Sequence, residues 1–279
     1  MNIYALGASR NIGYFASLRL LAKGARITFL LRSPAGLEND QAIRPYVESG
    51  HAIIVKGDAF VAEDVKKGWA VAQDNGALTV DLILFTVGGA PKFKLGKGFY
   101  IDPPNLVTKC LLNVISTYST SESSPHPPKL ITISSIGLTP ESHRNLPLLL
   151  KPLYSLLLPA AHEDKLGSER VVAHASGKPW PISYPEPKQG IMPDGWKETL
   201  SGGGASTAWT ETVILRPALL MDGDCKADTA RPGKLPYRLS EKDLGNGYSV
   251  NRKDVAHFIA EVLLEDWEKW SGKSWNMAY

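Results

Sequence analysis

Cysteine is nearly missing from this chain: Cys110 and Cys225 are the only two in 279 residues. They stand far apart without ligand spacing, which excludes a disulfide framework and a thiolate metal site and fits a reducing compartment. The six histidines, His51, His126, His143, His162, His174 and His257, are equally scattered, so no metal is expected. Charge of one sign is also lacking. The formal net charge is +3 with no basic block, which argues against nucleic acid as a partner. No long hydrophobic run occurs either. The most apolar stretch, 146–161, is interrupted by Pro147, Lys151, Pro152 and Pro159 and is too short and broken to span a bilayer. A first strand starting at residue 2 leaves no room for a signal peptide, so a cytoplasmic protein is expected. The elbow sequence of a serine hydrolase is absent as well.

What is present is organised around residues 2–32. An apolar run at 3–6 turns at Gly7, and the small polar loop Ala8-Ser9-Arg10-Asn11 leads into Ile12-Gly13. Phe15, Leu18, Leu21 and Ala22 then recur at helical spacing until Lys23-Gly24, and residues 27–31 form a second apolar run. Strand, glycine turn, helix and strand in so short a space make a βαβ unit. Its first turn suits a dinucleotide pyrophosphate, because free N–H groups and the helix dipole face the same point. Asn11 stands where a third glycine is often found, and Asn tolerates a positive φ better than most residues.

Strand and helix signals keep alternating. Helices are expected at 41–49, 63–73, 105–117, 162–175 and 253–264, and strands at 52–56, 81–87, 130–134, 212–215 and 275–278. With 43% hydrophobic residues the chain can bury a full core. The expected fold is α/β: a Rossmann-type, doubly wound, mostly parallel sheet with helices on both faces. Residues 1–279 form a single NAD(P)-binding domain in this reading. Two segments break the rhythm. Residues 176–209 are rich in Pro and Gly and carry Trp180, Tyr184, Met192, Trp196 and Trp209, while 222–246 is polar with Pro232 and Pro236. Both follow the second half of the sheet, so they are expected to form a small substrate-side lobe; surface decoration is the alternative.

Chemistry concentrates at the strand ends. Arg32-Ser33 closes the second strand, where an acid would accept the ribose 2′-hydroxyl of NAD and an Arg would pair with the 2′-phosphate of NADP. No acid occurs before Glu38, and Arg10 offers a second cation, so NADP(H) is the expected cofactor. Arg32 could otherwise be a solvated strand-end charge. Asp58, followed by Ala59, could take the adenine amine or cap the next helix. Thr86-Val87-Gly88-Gly89 ends the fourth strand, where glycine lets a cofactor come close.

These residues carry a resemblance. Leu6-Gly7-Ala8-Ser9-Arg10-Asn11-Ile12-Gly13 resembles the Thr-Gly-x-x-x-Gly-x-Gly turn of the short-chain dehydrogenase/reductase superfamily, and Arg32, Gly57-Asp58 and Ile133-Ser134-Ser135 fall at its cofactor and active-site strands. Ile214-Leu215-Arg216-Pro217-Ala218-Leu219 and the run from Tyr248 to Ala256 are similar to its atypical branch. That branch includes nitrogen-regulator-like sensors and biliverdin reductase B-type flavin reductases. The resemblance implies cofactor contacts at Gly7, Ser9, Arg10, Asn11, Ile12, Arg32, Ser33, Asp58, Ala59, Thr86, Val87, Gly88, Lys165, Pro217 and Ala218. It also implies a departure: the carbonyl reductases' Tyr-x-x-x-Lys pair becomes Ala161-x-x-x-Lys165, so the ribose-holding Lys remains while the phenolic acid is gone. Ser135 matches a Ser that lines the nicotinamide pocket, and Ala218 stands where a His would be. Tyr154, His143 and His162 are the remaining nearby proton donors. The expected catalytic set is Ser135, Lys165 and Tyr154, acting on a conjugated small-molecule substrate in a monomer or homodimer. A sensor without turnover, or a lyase or isomerase on the same scaffold, are the alternatives.

Overall fold

Short runs of branched and aromatic residues become strands here because both sheet faces are covered, so the central strands Asn2–Leu6 and Leu82–Phe85 are buried along their whole length. The computed structural model describes residues 1–279 except 91, 96–97, 120–126, 202–208 and 232. Residues 202–208 of the 176–209 segment and Pro232 of the 222–246 segment therefore lie outside the described residues. The main sheet holds β1 (Asn2–Leu6), β2 (Arg26–Leu31), β3 (Ala52–Lys56), β4 (Leu82–Phe85), β5 (Lys129–Ile133), β6 (Thr212–Pro217), β7 (Arg238–Ser240) and β8 (Lys273–Ala278). Its order is β7-β8-β6-β5-β4-β1-β2-β3. Every neighbouring pair is parallel except β7 with β8. The doubly wound, mostly parallel sheet expected from the alternation is the one observed.

Alternate residues of each strand feed opposite faces. Ile3 and Ala5 join Phe29, Leu84, Ile131 and Leu215 beneath α1 (Asn11–Ala22) and α5 (Arg252–His257). Tyr4 and Leu6 join Phe85, Leu130 and Ile214 beneath α2 (Ala62–Ala72), α3 (Leu106–Ser119) and α4 (Pro159–Ala175). Each buried Leu or Ile of this kind contributes about 1.5–3 kcal/mol, which is why the sheet tolerates so little polar interruption.

Two helices differ from expectation. α4 begins at Pro159 rather than at residue 162, because proline's fixed φ suits the first helical turn even though it blocks later ones. The expected helix 253–264 is α5 continued by one wide turn, Phe258–Leu263, with i→i+5 bonding. Four short strands carried no periodic signal: the hairpin Lys92–Lys94 with Gly98–Tyr100, and the strand pair Leu219–Met221 with Ser249–Asn251. Among the described residues, no helix is long and apolar enough to cross a membrane, and no group of His, Cys, Asp or Glu is placed to hold a metal ion.

Candidate active site

Strand order reverses at β1, between β4 and β2, and a cleft opens at the carboxyl ends of these strands. Gly7 makes the turn out of β1 at φ +75°, and a Cβ there would sit 2.5 Å from the Val87 backbone nitrogen. No other residue type fits. Gly13 lies against Ala8, whose Cα would be 2.7 Å from an added Cβ, so α1 starts tightly against the turn. Asn11 takes φ +57°, the left-handed conformation its side chain tolerates. Arg10 precedes the helix in extended conformation and its side chain caps nothing. The first amides of α1 therefore point out without an internal partner, as an anion site requires.

The cleft encloses about 390 Å³, within the range of small-ligand sites. Of the sequence-chosen residues it brings together Gly7, Ser9, Arg10, Asn11, Ile12, Arg32, Asp58, Ala59, Thr86, Val87, Gly88 and Lys165. Arg10 and Arg32 are exposed, and neither forms an ion pair among the described residues. Asp58 takes part in its own turn, accepting from Phe60 N at 3.0 Å, while Val61 occupies the cap position of α2. Two wall residues were not anticipated from sequence. Cys110 comes from α3, with its thiol pushed above the ordinary range by burial. Arg252, at the start of α5, pairs with Asp222 at 2.8 Å.

Lys165 anchors the inner end. Its Nζ donates to Ile133 O at 2.5 Å and Val87 O at 3.1 Å, bridging the ends of β5 and β4. Burial lowers its pKa to about 8, against the opposing pull of Asp164 and Glu169. Asp164 fixes its position. That fully buried carboxylate accepts from Val107 N at 2.8 Å and Thr108 N at 2.9 Å, so it caps α3 from the neighbouring helix. Burial raises the Asp164 pKa, and these bonds oppose the rise.

A second buried pair lies behind the cleft. Ser134, a wall residue, donates to Glu169 Oε1 at 2.5 Å, and Arg216 grips the same carboxylate with Nε at 2.9 Å and Nη2 at 2.5 Å. Burial works against the Arg216 charge, but Glu169 overrides it and holds the guanidinium above its usual range. On the far side of this pair is another cavity, about 320 Å³, walled by Trp180 and Tyr184 and floored by β6 and β8. Residues from the start of the 176–209 segment line this second cavity, and none of its described residues lines the first.

Five chosen residues lie outside the cleft wall. Ser33 is exposed beyond the end of β2. Pro217 is the last residue of β6, in register with Met277. Ala218 and Tyr154 are both 3% exposed, packed with Ile136 and Leu146 in a separate apolar cluster. Burial pushes the Tyr154 phenol up to about 12, so it keeps its proton at neutral pH. Ser135 is half-buried, with its Oγ donating to Ile136 O at 3.0 Å and 3.5 Å from His162 Nε2.

No family model matches the chain. Reductase pytE of Aspergillus terreus is 26% identical over 266 residues, covering 93% of this chain and 90% of that protein. Among solved structures, ChuY, an anaerobillin reductase from Escherichia coli, superposes with a TM-score of 0.57 at 18% identity over 99% of this chain and 96% of its own. The alcohol dehydrogenase of the archaeon Thermococcus sibiricus, complexed with 5-hydroxy-NADP, gives a TM-score of 0.57 at 14% identity over 95% of this chain and 91% of its own. The chain thus has the Rossmann-type fold of these proteins.

Proposed function

We propose that this protein is an NADPH-dependent reductase of a conjugated small molecule. The observation that carries the proposal is the convergence, at the sheet's switch point, of the free α1 amides, the unpaired Arg10 and Arg32, and the bridging Lys165. Nicotinamide dinucleotide fits those residues. The glycine turn leaves room for a pyrophosphate where a Cβ would collide, and Arg32 directly after β2, with Arg10 in the turn after β1, supports a phosphorylated ribose. The likeness to a reductase and to NAD(P)-binding proteins supports the same reading.

In this proposal the α1 amides and Arg10 hold the pyrophosphate, and Arg32 selects the phosphorylated ribose by a charge-assisted pair. Asp58 takes the adenine amine, with Ala59 leaving space for the ring. Lys165 holds the nicotinamide ribose, and Ser135 faces the acceptor. The bound cofactor supplies a hydride. Ala161 has no proton to give, so the preferred acceptor is one whose developing charge is spread over a conjugated system, such as a flavin, quinone or tetrapyrrole. A simple ketone would need a stronger acid.

Steady oxidation of NADPH by the purified protein, followed at the nicotinamide absorbance with flavins, quinones and aldehydes, tests the proposal. Turnover with the conjugated acceptors and little with aldehydes is expected. Tight NADPH binding without turnover across the panel would instead favour a cofactor sensor, the reading that Ala161 makes available.

A further inference from the structure

The missing acid at residue 161 has a neighbour one position on. His162 Nε2 lies 3.5 Å from Ser135 Oγ. Ser135 already donates its hydrogen to Ile136 O, so the serine oxygen is free to accept one from the imidazole. His162 also precedes Lys165 by three residues on α4, which puts the two on one face of the helix. Lys165 in turn holds the ends of β4 and β5. The Tyr154 ring meets the imidazole edge-on with centroids 5.4 Å apart and fixes its plane. Ser135 and His162 are both half-buried, so neither is sealed from the solvent side.

We propose that Ser135 and His162 form the proton-delivering end of the site, with Ser135 meeting the acceptor and His162 acting as the positioning residue behind it. This inference rests on the reductase reading and deepens it. The hydride from NADPH brings two electrons and a hydrogen to the electrophilic carbon, and the π pair of the acceptor moves to its heteroatom. The Ser135 hydroxyl turns from Ile136 O to that heteroatom, and its Oγ–H bond breaks toward it. The His162 Nε2–H bond then breaks to restore the serine hydroxyl, Nδ1 takes a proton from solvent water, and exchange with solvent (Nε2 protonated, Nδ1 released) returns the ring to its Nε2–H form before the next turnover. One NADPH and one solvent proton are consumed for each acceptor reduced, and the imidazole ends as neutral as it began.

The surroundings suit a neutral relay. Burial, reinforced by His143, lowers the His162 pKa to about 4, so one N–H remains available throughout the neutral range. The titratable groups around it are His143 from the helix Pro140–Asn145, Tyr154 from the helix Lys151–Leu157, and Glu163, Asp164 and Lys165 on α4. A neutral donor is weak for a localised alkoxide but adequate for a delocalised anion. The pair therefore narrows the substrate class in the same direction as Ala161 does.

Two measurements test the pair. In nitrogen-15 NMR of the imidazole side chains, with His162 assigned by its loss in His162→Gln, the ring is expected to stay in its neutral Nε2–H form across the neutral range. Its Nε2 resonance should shift in Ser135→Ala. A charged ring, an Nδ1–H form, or no response to Ser135→Ala would overturn the proposal. In kinetics with a conjugated acceptor, His162→Ala should lower kcat by about 10- to 100-fold while the KM for NADPH changes by less than about twofold. His162→Gln, which keeps an N–H at similar reach but cannot pass its proton on, should stay close to the His162→Ala rate, and recovery of the full rate would overturn the relay. Unchanged kcat in His162→Ala would overturn the relay and leave the reductase reading standing. Absence of NADPH oxidation by the unaltered protein would remove the reductase reading, and the tautomer measurement would still decide whether the pair exists.

Discussion

At the outer end of the cleft Arg10 and Arg32 are exposed and, among the described residues, without a carboxylate partner. Behind its inner end Glu169 and Arg216 are buried and locked to each other and to Ser134. The same charge types serve opposite purposes. An exposed, unpaired cation costs little to maintain in water and gains most when an anion arrives. A buried pair gains nothing from a ligand, but removing either member leaves an uncompensated charge in a poorly polar interior. In the proposed function recognition falls to the rim and geometry to the floor.

The largest effect should come from breaking the floor. Glu169→Ala is expected to destabilise the protein by about 3–5 kcal/mol, because Arg216 would be left buried without its counter-charge. Urea unfolding would measure it, and a loss below about 1 kcal/mol would mean the pair behaves like a surface one. Next is the turn itself. Gly13→Ala should cost about 1–3 kcal/mol by overpacking against Ala8 and Thr86 and should weaken NADPH binding as well, read by thermal shift and fluorescence titration. At the rim, Arg32→Ala should leave stability unchanged and weaken NADPH by about tenfold or more, the worth of a charge-assisted bond, with NADH nearly unaffected. Equal losses for both nucleotides would place the selecting cation elsewhere. The smallest effect belongs to Asn11. Asn11→Ala should cost about 1 kcal/mol for its left-handed backbone, whereas Asn11→Gly should be close to neutral in the same unfolding assay.

The rim was legible in the sequence and the floor was not, for a physical reason. Gly7, Asn11, Gly13, Arg32 and Asp58 act where they stand in the chain, at turns whose spacing is a local property. The strands were legible because burial on both faces turns them into unbroken apolar runs. Glu169 meets Arg216 across 47 positions and Asp164 meets Val107 across 57, and no periodicity within either segment marks its partner. A signal existed for one of them: Lys165 and Glu169 are four apart on a helix, so two charges share the face that carries the site. Arg252 lies within the run from Tyr248 to Ala256, but that run pointed to kinship and gave no hint of proximity to β1. Tyr154 shows the reverse case. Near Ser135 in sequence terms and chemically able, it is packed among Ile136, Leu146 and Ala218, where burial keeps its proton on.

The carboxylate of Asp164 belongs to one helix and terminates another, so α3 and α4 share a single mechanical joint. Lys165 is the next residue along that joint, and Leu106 and Cys110 on α3 form the facing wall. A load placed on the lysine ammonium passes directly to the foot of the opposite wall. The joint ties this jaw of the cleft into one unit, so adjustment to a guest is expected from the loops at its lip.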